Sequence, residues 1–170
     1  QACFVLAHDA AHYRLFRSRG LNDLVGRALA APVGISMRTY RVVHRLHHNH
    51  LYQPQDPDIP LHGGYPRGRR YLIRKLLLDL TGRTAPKTFA YFLGAPAIND
   101  EAPGANQPLH DTTPALRRAA RQDRRLAIAF HIGAPLLAVA GGHGLAYLVL
   151  WIVPLCTLLQ ALLRFRAICE

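Results

Sequence analysis

Cysteine is scarce in this chain. Cys3, Cys156 and Cys169 are too few and too scattered for a disulfide framework, and no CxxC occurs. Zinc-ribbon and thioredoxin-like designs are thereby excluded, and the three residues read as inert thiols of apolar segments. No basic n-region precedes the apolar stretch Ala2–Ala7, so the start is not a signal peptide. A chain opening on Gln1 instead of Met is expected to be an internal piece of a longer protein. Internal repeats and low-complexity tracts are also missing. The most informative absence is charge: from Leu126 to Leu163 there is not one Asp, Glu, Lys or Arg. That excludes an ordinary soluble globule, because a soluble helix of such length needs a polar face. It also removes nucleic acid as the expected partner behind the net charge of +11. The chain is membrane-bound first and basic second, and a nucleic-acid patch would interleave more aromatics than Tyr40 and Tyr52 among its cations.

The expected fold class is all-α: a multi-pass transmembrane helical protein with cytoplasmic histidine-bearing helices. As one helix, 126–163 would be about 57 Å long, twice the hydrocarbon thickness. Gly141-Gly142-His143-Gly144 interrupts it, which predicts a hairpin of two spans, roughly 126–142 and 145–163. Pro135 and Pro154 fall inside the spans, where membrane helices tolerate them. Arg117, Arg118, Arg121, Arg124 and Arg125 precede the hairpin, and Arg164 and Arg166 follow it. Basic flanks on both sides put both ends on the cytoplasmic face and the glycine turn outside. Gln1–Leu6 reads as the end of an earlier span, so 1–20 is that end plus a first histidine group. Within 21–50, Leu21–Met37 carries Asp23, Arg27, two Gly and one Pro, which favours an interfacial or re-entrant helix over a crossing one. Residues 51–125 read as a cytoplasmic loop region with one amphipathic helix near Arg69–Leu80. Arginine far outnumbers lysine, present only as Lys75 and Lys87, and alanine is abundant. That composition fits a GC-rich bacterial genome and a plasma-membrane location, or the endoplasmic reticulum for a eukaryotic chain.

Histidine is abundant, with 10 in the chain. His8 and His12 are spaced i, i+4, so on a helix both rings reach one point. In His44-Arg45-Leu46-His47-His48-Asn49-His50, the first three histidines share one face. His47 and His48 differ by about 100° around the axis and can address two ions, while His50 points away. A lone HxxxH is weak, and neither group has the glutamate of an HExxH metalloprotease. A pH switch would not need helical register. Five aligned imidazoles indicate a transition metal and not Mg or Ca. His62 and His110 read as loop residues, His143 as part of the outer turn, and His131, inside a span, as a helix–helix hydrogen-bonding group.

These groups beside membrane segments resemble the histidine boxes of the membrane fatty acid desaturase family. HDAAHYRLF with the following Asn22 is similar to that family's first box, and YRVVHRLHHNHLYQPQDPD to its second box and the acidic-proline tract behind it. The likeness is close from Gln1 to about Asp58 and topological over the hairpin. It implies two iron ions held by His8, His12, His44, His47 and His48, with molecular oxygen as co-substrate. Asp9, Asp56 and Asp58 are then candidates for accepting the far ring N–H of ligand histidines, although Asp-Pro-Asp is also ordinary turn chemistry.

The family pattern includes a third HxxHH box, usually preceded by a separate ligand histidine. This chain ends one residue short of where that histidine would fall, so the piece alone is expected to be inactive and to hold iron poorly. The implied activity is an oxygen-dependent desaturation of a membrane lipid or acyl thioester. Its electrons would come from a donor such as a cytochrome b5-like protein or ferredoxin. The alternative is a hydroxylase or ketolase with the same boxes, acting on sphingolipids, carotenoids or alkanes; a third reading is a zinc-holding scaffold without catalysis. Arg38, Arg41, Arg45, Arg67, Arg69, Arg70, Arg74 and Lys75 give the same face a positive field, which serves topology and also suits anionic partners.

Overall fold

A computed structural model of the chain describes residues 1–51, 53–58, 67–94 and 112–169. His62 and His110 lie outside the described residues. Within them the structure is helical and without strands, as the sequence led us to expect. In chain order the helices are α1 (Ala2–Ala11), α2 (Arg19–Ala30) and, after a short 3-10 turn at Ala31–Val33, α3 (Met37–Asn49). They continue with α4 (Arg69–Leu80), α5 (Ala85–Phe92) and α6 (Pro114–Ala140). The last helical run, Gly144–Cys169, comprises α7 (Gly144–Tyr147), a π-helical segment Leu148–Ile152, α8 (Val153–Cys156) and α9 (Leu158–Cys169).

Local chemistry sets the boundaries. Ser18 and Ser36 cap α2 and α3, their hydroxyls accepting from the backbone N–H of Leu21 and Thr39 at 3.3 Å each. Leu21–Met37 is therefore not one helix. The 3-10 turn ends at Gly34, whose φ of 73° reverses the chain before Ser36 starts α3. A Cβ built on Gly34 would lie 2.8 Å from the Phe89 ring. Gly34→Ala combines a left-handed backbone with that clash, and we expect it to cost at least about 1–2 kcal/mol, read as a lowered thermal midpoint. Thr113 and Pro114 start α6 well before the charge-free stretch: Leu116 N–H donates to Thr113 Oγ1 at 3.2 Å, and Pro114 sits where no N–H is needed. Arg117 to Arg125 consequently lie on the helix and not in the preceding loop.

Gly144–Cys169 is long and apolar enough to cross a membrane. Near its middle, Pro154 has no N–H to return to Leu150 and its ring crowds that carbonyl, so the backbone widens into π register. The run breaks again at Thr157 (φ −121°, ψ −77°). Exposure along α6 and this run has no counterpart in a water-soluble surface: Leu137 is 76% exposed, Leu145 75% and Leu150 74%.

The core lies among α1, α2, α3, α5, α8 and the start of α9. Phe4, Tyr40 and Phe92 form an edge-to-face triad with centroids 5.8–6.0 Å apart. Ala7, Ala10 and Ala11 let α2 approach α1 so closely that a Cβ on Gly26 would stand 2.8 Å from that of Ala10. Two buried carboxylates tie the layers together. Asp123 of α6 accepts from Arg27 Nε and Arg38 Nη1 at 2.6 Å and from the Arg38 backbone N–H at 3.0 Å. Asp79 of α4 pairs with Arg164 of α9, through Nε and through Nη2 (2.9 Å), and accepts from Thr84 Oγ1 at 2.8 Å.

Candidate metal centre

His8 and His12 leave the last turn of α1 on one face, as their spacing requires. That turn is anchored by a residue from the next helix. Fully buried Asn22 donates to the Ala10 carbonyl at 2.7 Å and accepts from the Phe16 N–H at 3.2 Å. Arg41 of α3 donates to the same carbonyl at 3.1 Å and to Asp23 at 2.7 Å. Its guanidinium also lies 4.0 Å from the centre of the Tyr13 ring. With α1 so fixed, its histidines meet those of α3.

One ligand atom from each of His8, His12, His44 and His48 falls within 4.8 Å of all the others. His44 is central: its Nε2 is 2.9 Å from His12 Nε2 and 3.0 Å from His48 Nε2. One ring nitrogen offers a single lone pair or a single N–H, so it cannot make good hydrogen bonds to both neighbours at once. A cation resolves the crowding. Nitrogens bound at about 2.1 Å and about 90° to each other stand about 3.0 Å apart. The donor set therefore fits a transition metal. His12 at the end of α1 and His44 on α3 touch, so the segment 21–37 brings the two histidine groups together.

At His44, His8 and His12 the surroundings favour the neutral ring, the form that binds metal. His44, stacked on Tyr40 at 5.3 Å, has its pKa pushed from 6.5 to about 3, by burial first and then by the neighbouring imidazoles. Burial also lowers His8, with Arg166 next, and lowers His12, with His48 next. His12 and His48 are exposed, which leaves the cluster open on one flank.

His47 turns away from this group. Its Nδ1 lies 2.8 Å from Asp56 Oδ1, and Asp56 is 1% exposed. Asp58 stands 3.7 Å from the same nitrogen and accepts from Tyr91 Oη at 3.1 Å, while its own N–H donates to Asp56 at 2.8 Å. Asp56 and Asp58 thus belong to one hydrogen-bonded unit that fixes the His47 ring. Asp9 is 3.7 Å from His8 Nδ1 and half exposed, too far for a hydrogen bond. If the unit orients a ligand, Asp56→Asn should weaken iron binding about 10–100-fold with little loss of stability, as measured by chelator competition.

Two residues near the site were not singled out for it by the sequence. Tyr91, whose pKa is raised by burial and then by Asp58, comes from α5, inside a region read as loop. Arg166, read as a topology charge, lies with its guanidinium 5.6 Å from the Phe4 ring, close enough to act on His8, His12 and His44. Nothing local flags either one, since the fold alone brings them there. His131 and His143 lie on α6 and in the turn after it, outside the cluster.

The fatty acid desaturase family model matches the chain over residues 1–170. Among characterised proteins, an acyl-lipid (9-3)-desaturase of Physcomitrium patens is 38% identical over 66 residues, 35% of this chain and 13% of that protein. An sn-1 acyl-lipid omega-3 desaturase (ferredoxin) of Nostoc sp. (strain 36) is 36% identical over 47 residues, 28% of this chain and 13% of that protein. The matched stretches are thus small parts of both relatives. No solved structure matches.

Proposed function

Because this chain belongs to the fatty acid desaturase family, we propose that the intact protein is a membrane-embedded, oxygen-dependent di-iron desaturase that converts a –CH2–CH2– unit of an acyl chain to a double bond. The observation that carries this reading is the convergence of His8, His12, His44 and His48 from two helices onto one point. Removing two hydrogens with O2, two electrons and two protons yields the alkene and two waters, so an electron donor is required. Both relatives bear acyl-lipid desaturase names, one of them with ferredoxin, which favours a lipid-linked acyl chain and a ferredoxin-type donor. When bound, iron supplies the oxidising chemistry that no side chain can provide for an unactivated C–H bond.

The chain's own residues prepare that site. His8, His12, His44 and His48 would hold one ion, and His47, set by Asp56, would take part in holding the second. Asn22 holds the end of α1 on α2 and Arg41 holds it on α3, and Tyr40 closes the buried side of His44. The remaining ligands would come from the wider protein. In this arrangement the protein is multi-pass, with the hairpin's basic ends and the histidines on the cytoplasmic side.

The test is metal and product analysis of the full-length protein. About two irons per chain and a product lighter by two hydrogens support the proposal. A product heavier by one oxygen would make it a hydroxylase, and one zinc with no iron would leave a scaffold.

A further inference from the structure

Beside the last helical run, α4 and the turn after it frame a groove of about 430 Å³, lined by Arg70, Ile73, Arg74, Leu77, Leu78, Thr81 and Arg83. Arg70 and Arg74 are one turn apart, as are Ile73 and Leu77, so cations and aliphatics share one face. A water-facing helix has no reason to leave Ile73 46% and Leu77 58% exposed between arginines. Among the described residues, none of the three arginines has a carboxylate at ion-pair distance. The one acid between residues 67 and 94, Asp79, is buried and held by Arg164 and Thr84.

The position of the groove identifies its occupant. Asp79–Arg164 fastens α4 to α9, at the basic end of the run that is long enough to span a membrane, and Gly82 packs on the Cys156 carbonyl. The packed pair leaves Leu77 and Leu80 bare on α4 and Leu158 and Leu162 bare on α9. An aliphatic floor with a guanidinium rim is complementary to a phospholipid at the boundary between headgroup and acyl chain. Arginine's fork of donors matches phosphate oxygens. An acidic protein would meet the rim but gain nothing from the floor.

We infer that this groove is a binding site for the headgroup phosphate and first methylenes of an anionic phospholipid, held as a structural lipid. The inference rests on the membrane embedding in the proposed function, but not on iron or on catalysis.

The experiment uses the full-length protein in phosphatidylcholine nanodiscs with and without phosphatidylglycerol. Wild type is compared with the triple variant Arg70→Gln, Arg74→Gln, Arg83→Gln by native mass spectrometry of retained lipid and by thermal midpoint. Wild type should retain phosphatidylglycerol and be stabilised by it. The triple variant should match wild type in pure phosphatidylcholine and bind phosphatidylglycerol on the order of 100-fold more weakly, about fivefold per arginine. Leu77→Glu, with every arginine in place, should also weaken retention. Unchanged retention in the triple variant overturns the inference. Equal stabilisation of wild type by inorganic phosphate does so too, because the site would then serve a soluble anion. A loss confined to electron delivery by an acidic donor, with lipid retention intact, likewise overturns it. Iron is not the readout, so a protein without iron that still retains the lipid would sink the desaturase reading and leave this site standing.

Discussion

Replacing His44 with alanine is expected to bring the iron content of the full-length protein from about two ions to about one, and to abolish formation of the double bond. His44 is the meeting point of the cluster: its Nε2 contacts both the α1 ring of His12 and the α3 ring of His48. Its removal leaves the remaining imidazoles on two helices without the nitrogen that joins them. The activity loss should exceed the about 10–100-fold typical of removing a ligand's hydrogen-bonding partner. His50→Ala is the matched control, because His50 follows α3 outside the cluster and its replacement should change neither iron nor product. Iron content is measured by atomic emission, and retention of fold by the thermal midpoint of the metal-free protein. A His44→Ala protein with full iron content would remove the four-histidine site from the mechanism.

The largest stability effect is expected at Asp79. Asp79→Ala takes from the Arg164 guanidinium, 8% exposed, the carboxylate that holds it at the junction of α4 and α9. Breaking a buried pair from one side costs about 3–5 kcal/mol, most of it from the uncompensated charge left behind. The double replacement Asp79→Leu with Arg164→Leu should recover most of that loss, since two apolar groups of similar volume leave no charge to solvate. The thermal midpoint in detergent reads both effects. A single variant that loses less than about 1 kcal/mol would mean that the guanidinium reaches water and that the junction is held by packing alone. Asp123→Ala should cost less, because Arg27 and Arg38 are 29% and 23% exposed and can rehydrate.

The elements legible in the sequence are those with a periodic or compositional signature. The amphipathic helix expected near Arg69–Leu80 forms at those residues, and the helical class follows from the histidine spacing and the long uncharged run. The mutual approach of His8, His12, His44 and His48 follows from i, i+4 geometry once α1 and α3 are adjacent. α5 was missed because its short run between Thr84 and Leu93 carries no charge pattern to separate it from loop. The start of α6 was placed too late because hydropathy marks where charge ends, whereas a helix begins at its cap, here Thr113 and Pro114. Arg164 and Arg166 were read for topology alone. One neutralises a buried carboxylate and the other lies near the histidines, and no one-dimensional count of charge separates those roles.

By itself the sequence determined the helical class and the grouping of the candidate ligand histidines on two helices. These depend on residue type and on a fixed rise and turn per residue, both local. Tertiary structure alone decided that Asn22 ties α1 to α2 and Arg41 ties it to α3, that His47 turns to Asp56 while its neighbours converge, and that Tyr91 reaches Asp58 from a distant helix. It also set the two buried carboxylates that bind α6 and α9 to the rest. Such contacts depend on where helices cross, and crossing is settled by packing of the Phe4, Tyr40 and Phe92 core, whose members are far apart in the chain.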